Sequence, residues 1–247
     1  MLQNSRILLA AAVSALLTVA SVHADALDKG VRQAGLGDLL DLTIPGVTVR
    51  QCSCKEQNDC VEEIKNQVFT CADSCWFKFG KITPNPNDLK QCIESKEIIF
   101  NNFVSCVQSN MHACVPGSDG PQIPKHDILK MFQVAERKIV SQREALLHNA
   151  AIKPIRNIIE TTLDFGGCTK DCFLRKNSKG FCFDRINCQP LITERRAVNT
   201  LKRCIRELDW KKEAGELCEC SVTAGVTALE RYCPMLKMLS QSRRGSR

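Results

Sequence analysis

Two stretches hold the most closely spaced reactive side chains, TCADSCWFKFG with Cys71 and Cys75, and GCTKDCFLRKN with Cys168 and Cys172. Each sets two thiols at i and i+4, which share one face of a helix. Each follows the second thiol with an aromatic, an apolar residue and a base, Trp76-Phe77-Lys78 and Phe173-Leu174-Arg175. Three chemistries use such pairs. A zinc site takes them as thiolates. A redox site of the thioredoxin kind uses C-x-x-C, which the chain lacks. A disulfide frame uses them as anchors on helices.

The compartment decides between these. The chain opens MLQNSRILLAAAVSALLTVASVHA, with Arg6 before an apolar run from Ile7 to Val22, and with Val22 and Ala24 at the −3 and −1 positions of a small-residue cleavage site. This reads as a secretory signal peptide over 1–24, giving a secreted, extracellular protein that starts near Asp25. The run is shorter than the roughly 20 apolar residues of a bilayer span, and no later stretch is apolar enough, so no transmembrane segment is expected. All 16 cysteines follow the cleavage site and their number is even. In an oxidising compartment that predicts up to eight disulfides, no metal site and no cofactor.

Catalytic patterns are sparse. His23 leaves with the signal peptide, and His112, His126 and His148 remain. A Cys–His nucleophile needs an unpaired thiol. No G-x-S-x-G, H-E-x-x-H, P-loop or dinucleotide fingerprint occurs. Glu62-Glu63 and Glu94 with Glu97 could do paired-carboxylate chemistry, but helical spacing makes them solvated faces. No catalytic residue is assigned and a non-enzyme is expected. Two Trp, one Tyr and ten Phe give few stacking platforms for nucleic acid. No N-x-[ST] sequon is present.

The charge is uneven. Residues 25–120 carry a net −4 and residues 121–247 a net +10. The segment ERRAVNTLKRCIRELDWKK gathers Arg195, Arg196, Lys202, Arg203 and Arg206 partly on one side of a helix, with Lys211 and Lys212 beyond. It is the candidate patch for an anionic partner, either a sulfated polysaccharide or another extracellular protein.

The elements that carry these residues read as helices. Residues 25–51 read as a loosely structured lead-in, two small apolar runs punctuated by glycines and a proline. Residues 52–120 form a first cysteine-rich helical unit. In it, Val61, Ile64, Val68, Phe69, Ala72 and Trp76 recur at helical spacing over 56–80, TPNPND makes a turn, and a second helix runs from Asn87 or Asp88 to Ala113. Residues 121–167 are a cysteine-free amphipathic connecting helix, kinked or ended at Pro154, with its face running to Gly166-Gly167. Residues 168–239 form a second cysteine-rich unit, with helices over 191–209 and 211–239, and 240–247 is a basic tail.

Both units hold eight cysteines, a C-x3-C and a C-x13-C, Cys92 to Cys106 and Cys204 to Cys218. This points to a divergent duplication. Folding the first two helices back about the TPNPN turn brings Cys75 to Cys92 and Cys60 to Cys106, two rungs of one hairpin. Cys71 then bonds elsewhere, with Cys52, Cys54 or Cys114 as candidates.

The cysteine-studded helices CADSCWFKFG, CIESKEIIFNNFVSCVQSNMHAC, CTKDCFLRK and LKRCIREL resemble secreted nematode cysteine-rich proteins with a chondroitin-proteoglycan-4-type domain, over about 52–239. The resemblance implies a non-enzymatic extracellular matrix or egg-associated protein. The chain has no Ser-Gly dipeptide, the usual attachment site for a chondroitin chain. The expected fold is all-α, disulfide-rich helical hairpins or a bundle. The expected function is that of a structural or interaction protein. The alternative is a helical carrier of a small apolar ligand, which requires an enclosed apolar cavity of about 300 Å³ or more.

Overall fold

The computed structural model describes residues 36–208 and 210–241. The expected signal peptide, residues 25–35 of the lead-in and residues 242–247 of the basic tail lie outside the described residues. The fold is disulfide-rich and mostly helical, with ten α-helices and one small sheet among the described residues. These are α1 (Leu36–Leu40), β1 (Thr43–Gln51), α2 (Cys54–Cys75), α3 (Pro86–Glu94), α4 (Glu97–Met111), β2 (Gln122–His126), α5 (Ile128–Leu147), α6 (Arg156–Lys176), α7 (Cys182–Arg185), β3 (Cys188–Gln189), α8 (Glu194–Glu207), α9 (Trp210–Thr223) and α10 (Cys233–Gln241).

The sheet corrects the reading of the lead-in as loosely structured. β1 lies centrally, antiparallel to β2 and parallel to β3. Its VTVRQ end alternates, burying Val49 and Gln51, as a half-buried strand does. The chain then enters α2 through a capping box. The Glu56 amide donates to Ser53 Oγ at 3.3 Å, and the Ser53 amide donates to Glu56 Oε2 at 2.9 Å. Two donors that the first turn leaves open are thus satisfied.

α2 ends at Cys75 in a 3₁₀ turn, Trp76–Lys81. Beyond it, the expected second helix is two, α3 and α4, divided near Ser95 and Lys96; α4 stops at His112, which takes a left-handed φ of 45°. The stretch 121–167 is not one connecting helix. It holds β2, α5, a 3₁₀ turn containing Pro154 and the first half of α6. α6 does not stop at Gly166-Gly167 but runs through both glycines to Lys176. The 211–239 helix is likewise divided. α9 ends before Gly225, whose φ is +96° and where a Cβ would stand 2.8 Å from Thr83 Oγ1. The Thr83 hydroxyl donates to the Ala224 carbonyl, docking the TPNPN turn there.

The disulfide pairing corrects both expected rungs. Cys75 bonds Cys168 rather than Cys92, and Cys60 bonds Cys182 rather than Cys106. Cys92 bonds Cys220 and Cys106 bonds Cys204. The reason is packing. α2 does not return along α3 and α4. It lies antiparallel to α6, where Phe165 packs against the adjoining rings of Trp76 and Phe79, with ring centroids 5.5 and 4.9 Å away. The main core joins Phe69, Trp76, Phe79, Leu89, Ile93 and Phe100 to Phe165, Ala224 and Val226. Cysteine-rich segments 52–120 and 168–239 therefore do not stand apart. Six bonds run between them, Cys52–Cys188, Cys60–Cys182, Cys71–Cys172, Cys75–Cys168, Cys92–Cys220 and Cys106–Cys204. Only Cys54–Cys114 and Cys218–Cys233 stay within one segment.

Candidate functional site

The two C-x3-C motifs answer each other. On antiparallel helices, i meets the far thiol of the partner motif and i+4 meets the near one. This is the register of Cys71–Cys172 and Cys75–Cys168, with Cα atoms 5.5 and 6.0 Å apart. All sixteen cysteines are bonded, so neither motif presents a thiolate. The motifs are a clamp between α2 and α6.

The three histidines stand on separate elements. His148 Nδ1 lies 2.7 Å from the Glu144 carbonyl, exposed on the end of α5. His126 ends β2, and burial pushes its imidazole pKa below the ordinary value. His112 ends α4 and is the one that borders the basic patch.

That patch follows helix geometry. At about 100° per residue, Lys202, Arg195, Arg206, Arg203 and Arg196 fall within an arc of about 120° on α8. The opposite face buries Ala197, Thr200 and Cys204, the last bonded to Cys106 of α4. The bond and a hydrogen bond from Arg196 Nη1 to the His112 carbonyl, 2.8 Å, fix α8 against the end of α4. Between them lies a polar cavity of about 460 Å³ bordered by Arg195, Arg196, Asn199 and Arg203 of α8 and by Asn110 and His112. Arg203 Nε meets Glu207 at 3.2 Å, both exposed. Arg195 and Arg206 make no ion pair among the described residues. Lys202 and Arg206 share the basic side but lie outside this cavity. Lys212 sits on α9 and meets Glu216 at 3.6 Å, away from the patch; the side chain of Lys211 lies outside the described residues. The cavity can therefore hold an anionic group among three guanidiniums and the Asn199 amide, donors that match sulfate or phosphate oxygens, while the Asn110 amide is engaged with the Cys106 carbonyl at 2.8 Å.

A second concavity was not legible as a site in the sequence. α2, α5, α6 and α7 enclose an apolar cleft of about 460 Å³, open on one side. Ile64 and Val68 come from α2, Ile128 and Phe132 from α5, Phe165 and Phe173 from α6, with Phe181 and Phe183 at α7. Phe132, Phe173 and Phe181 form a triangle of rings with centroids 5.9–6.1 Å apart. Lys170 is the one charged residue on its lining; its Nζ meets Glu136 at 2.6 Å and Asp171 at 3.1 Å. The glycine pair in α6 was the available signal, since Gly166 borders the cleft.

No protein-family model matches the chain, and no curated protein or solved structure does either.

Proposed function

We propose that the chain is a secreted, non-enzymatic extracellular protein, a structural or interaction component of a matrix, that binds an anionic partner through α8. The observation that carries this reading is the convergence of Arg195, Arg196 and Arg203 on one polar cavity, with Lys202 and Arg206 extending the same basic side. The eight disulfides fit an oxidising compartment. No described helix is long and apolar enough to cross a membrane. The cysteine spacings that resemble the chondroitin-proteoglycan-4-type domain favour the same setting. The partner is a sulfated polysaccharide rather than nucleic acid, because bidentate guanidiniums suit sulfate and exposed aromatic platforms are few.

Retention on immobilised heparin tests it. A variant with Arg195, Arg196, Lys202, Arg203 and Arg206 replaced by Gln should elute at clearly lower salt. Equal elution rejects the reading, and retention on an acidic protein column but not on heparin assigns the face to another extracellular protein. A second reading, a helical carrier of a small apolar ligand, is supported by the cleft among α2, α5, α6 and α7. The cleft has the volume the carrier requires but is open on one side rather than enclosed.

A further inference from the structure

We infer that the cleft is a binding site for one small, neutral, apolar molecule, and that Gly166 is the residue that keeps it open. The inference rests on the carrier reading and specifies its ligand.

The first argument is the cost of the glycine. Gly166 lies inside α6, a 21-residue helix, where glycine is a poor choice relative to alanine because the backbone loses more freedom on folding. Mid-helix glycines are commonly forced by a close neighbour. Here a Cβ at Gly166 would meet nothing within 4 Å. No packing requirement excludes a side chain, and any side chain there would project from the cleft wall and occupy the space. The helix forgoes stability at the position where a larger residue would fill the cleft.

The second argument is the chemistry of the wall. Its volume, about 460 Å³, lies within the range of small-molecule sites, about 300–1,000 Å³. The walls are phenylalanine and aliphatic side chains. Thr169, 7% exposed, has a hydroxyl with no hydrogen-bond partner among the protein's groups. That hydroxyl is shielded from the cleft as well, so the wall offers a ligand an almost wholly apolar surface. The rim excludes an acid. The single cation, Lys170, already meets the carboxylates of Glu136 and Asp171. Two negative charges against one positive give an incoming carboxylate no net attraction, so a neutral molecule is favoured.

The third argument is access. The clamp Cys71–Cys172 and the bond Cys60–Cys182 lock three walls, α2, α6 and α7, to each other. The fourth, α5, belongs to the cysteine-free stretch between Cys114 and Cys168. Beyond Ile128 and Phe132 at the cleft it is tied by ion pairs, Lys138–Asp38 at 2.7 Å, Glu136–Lys170 at 2.6 Å and Arg143–Asp164 at 3.9 Å, which are individually weak. It is the wall that can shift to admit a ligand.

The test is titration of the secreted full-length protein with Nile red, a neutral dye, followed by displacement with dodecanol or dodecanoate. Dodecanol should displace the dye at a concentration at least about tenfold below dodecanoate. Gly166→Leu should weaken dye binding by about tenfold or more while leaving the thermal midpoint unchanged or higher, because leucine is the better helix former. If Gly166→Leu binds the dye as tightly as the parent, the inference is overturned. Absence of dye binding to the parent rejects the carrier reading itself. Displacement by dodecanoate at equal or lower concentration, lost in Lys170→Gln, keeps the carrier reading and overturns the neutral ligand. A concentration-dependent dimer that Gly166→Leu dissociates would assign the cleft to a second copy of the chain and overturn the inference.

Discussion

The clamp between α2 and α6 makes a prediction that separates a ladder of bonds from independent staples. Cys71–Cys172 spans 101 residues of sequence and Cys75–Cys168 spans 93. Standing alone, a bond closing a loop of about 100 residues would stabilise the fold by about 4.7 kcal/mol through the entropy of the unfolded chain. Neither stands alone. With Cys75–Cys168 intact, Cys71–Cys172 closes only the ring made by residues 71–75 and 168–172, about ten residues, and shortens the ring that runs to Cys60–Cys182. The same relation then gives roughly 2.5 kcal/mol for either bond lost singly and roughly 6 kcal/mol for both. Replacement by alanine also removes sulfur from a tight site, since Cys71 is 0% and Cys75 2% exposed, which adds about 1 kcal/mol per bond. Cys71→Ala with Cys172→Ala should therefore cost about 3–4 kcal/mol, Cys75→Ala with Cys168→Ala about the same, and the quadruple variant about 8. The assay is reversible guanidinium unfolding without reductant, with the transition slope fitted for each variant. A single-bond variant that loses about 6 kcal/mol, the value for an isolated bond plus its sulfur, refutes the ladder. So does a quadruple variant no less stable than either double.

Three further outcomes follow from the same structure. Protease cleavage within α5, between Cys114 and Cys168, should leave the two fragments joined on a gel run without reductant and separated with it, because six bonds cross that segment; fragments that part without reductant would mean bonds confined to each cysteine-rich segment. At the start of α2, hydrogen bonds from Arg50 and from the Ser53 side chain and backbone hold the Glu56 carboxyl at a pKa of about 2, below its ordinary 4.5. Its folded pKa is depressed, so the stability it contributes is present above about pH 4.5 and is lost as pH falls toward 2. The gap between the parent and Glu56→Gln, about 1 kcal/mol near neutrality, should close over that window in acid-dependent unfolding, and a gap that widens on acidification would contradict the assigned bonds. Gly225→Ala should cost about 2–4 kcal/mol in denaturant unfolding, because the position has positive φ and its new methyl would press on Thr83; a loss below about 0.5 kcal/mol would mean the turn is not so constrained.

What could be read from the chain divides by the range of the interaction. Helices came from local periodicity, and Ile64, Val68, Phe69 and Ala72 lie on α2 as their spacing required, with Trp76 opening the 3₁₀ turn that follows. The break at Pro154 was legible because proline ends or kinks a helix, whereas those at Ser95 and Gly225 carry no such local mark. Gly166-Gly167 bounds the apolar face in the sequence because glycine weakens a helix, yet neither residue has a neighbour that forbids its continuing, and α6 runs through both. β1 was missed because its alternation begins only after Gly46, inside a stretch dominated by turn residues. The basic face of α8 was legible for the opposite reason. Charges on the solvent side of a helix obey the helix's own geometry, and the five here, four exposed and Lys202 half-buried, align from the spacing within α8 alone. What brings three of the five around a cavity is the bond to α4 and the end of that helix at His112, which no local rule contains.

The disulfide pairing shows why this limit is physical. On any two antiparallel helices, residues whose separations match can form rungs, and the rule that joins Cys75 to Cys92 about the TPNPN turn joins Cys75 to Cys168 equally well. The i, i+4 spacing is degenerate. It states that two helices are to be bridged twice and leaves open which two. The choice falls to packing between residues far apart in sequence, here Phe165 against Trp76 and Phe79, whose burial brings α6 rather than α3 onto α2. The repeated motif is then not two copies of one local device. Each copy is half of a single clamp, and the aromatic after each second cysteine differs in burden accordingly. Trp76 enters the main core, while Phe173 lies at the edge of that clamp and forms a wall of the cleft. The same two bonds that fix the fold thus hold rigid the walls on which the apolar site depends, and Gly166, between them and the core, leaves the space.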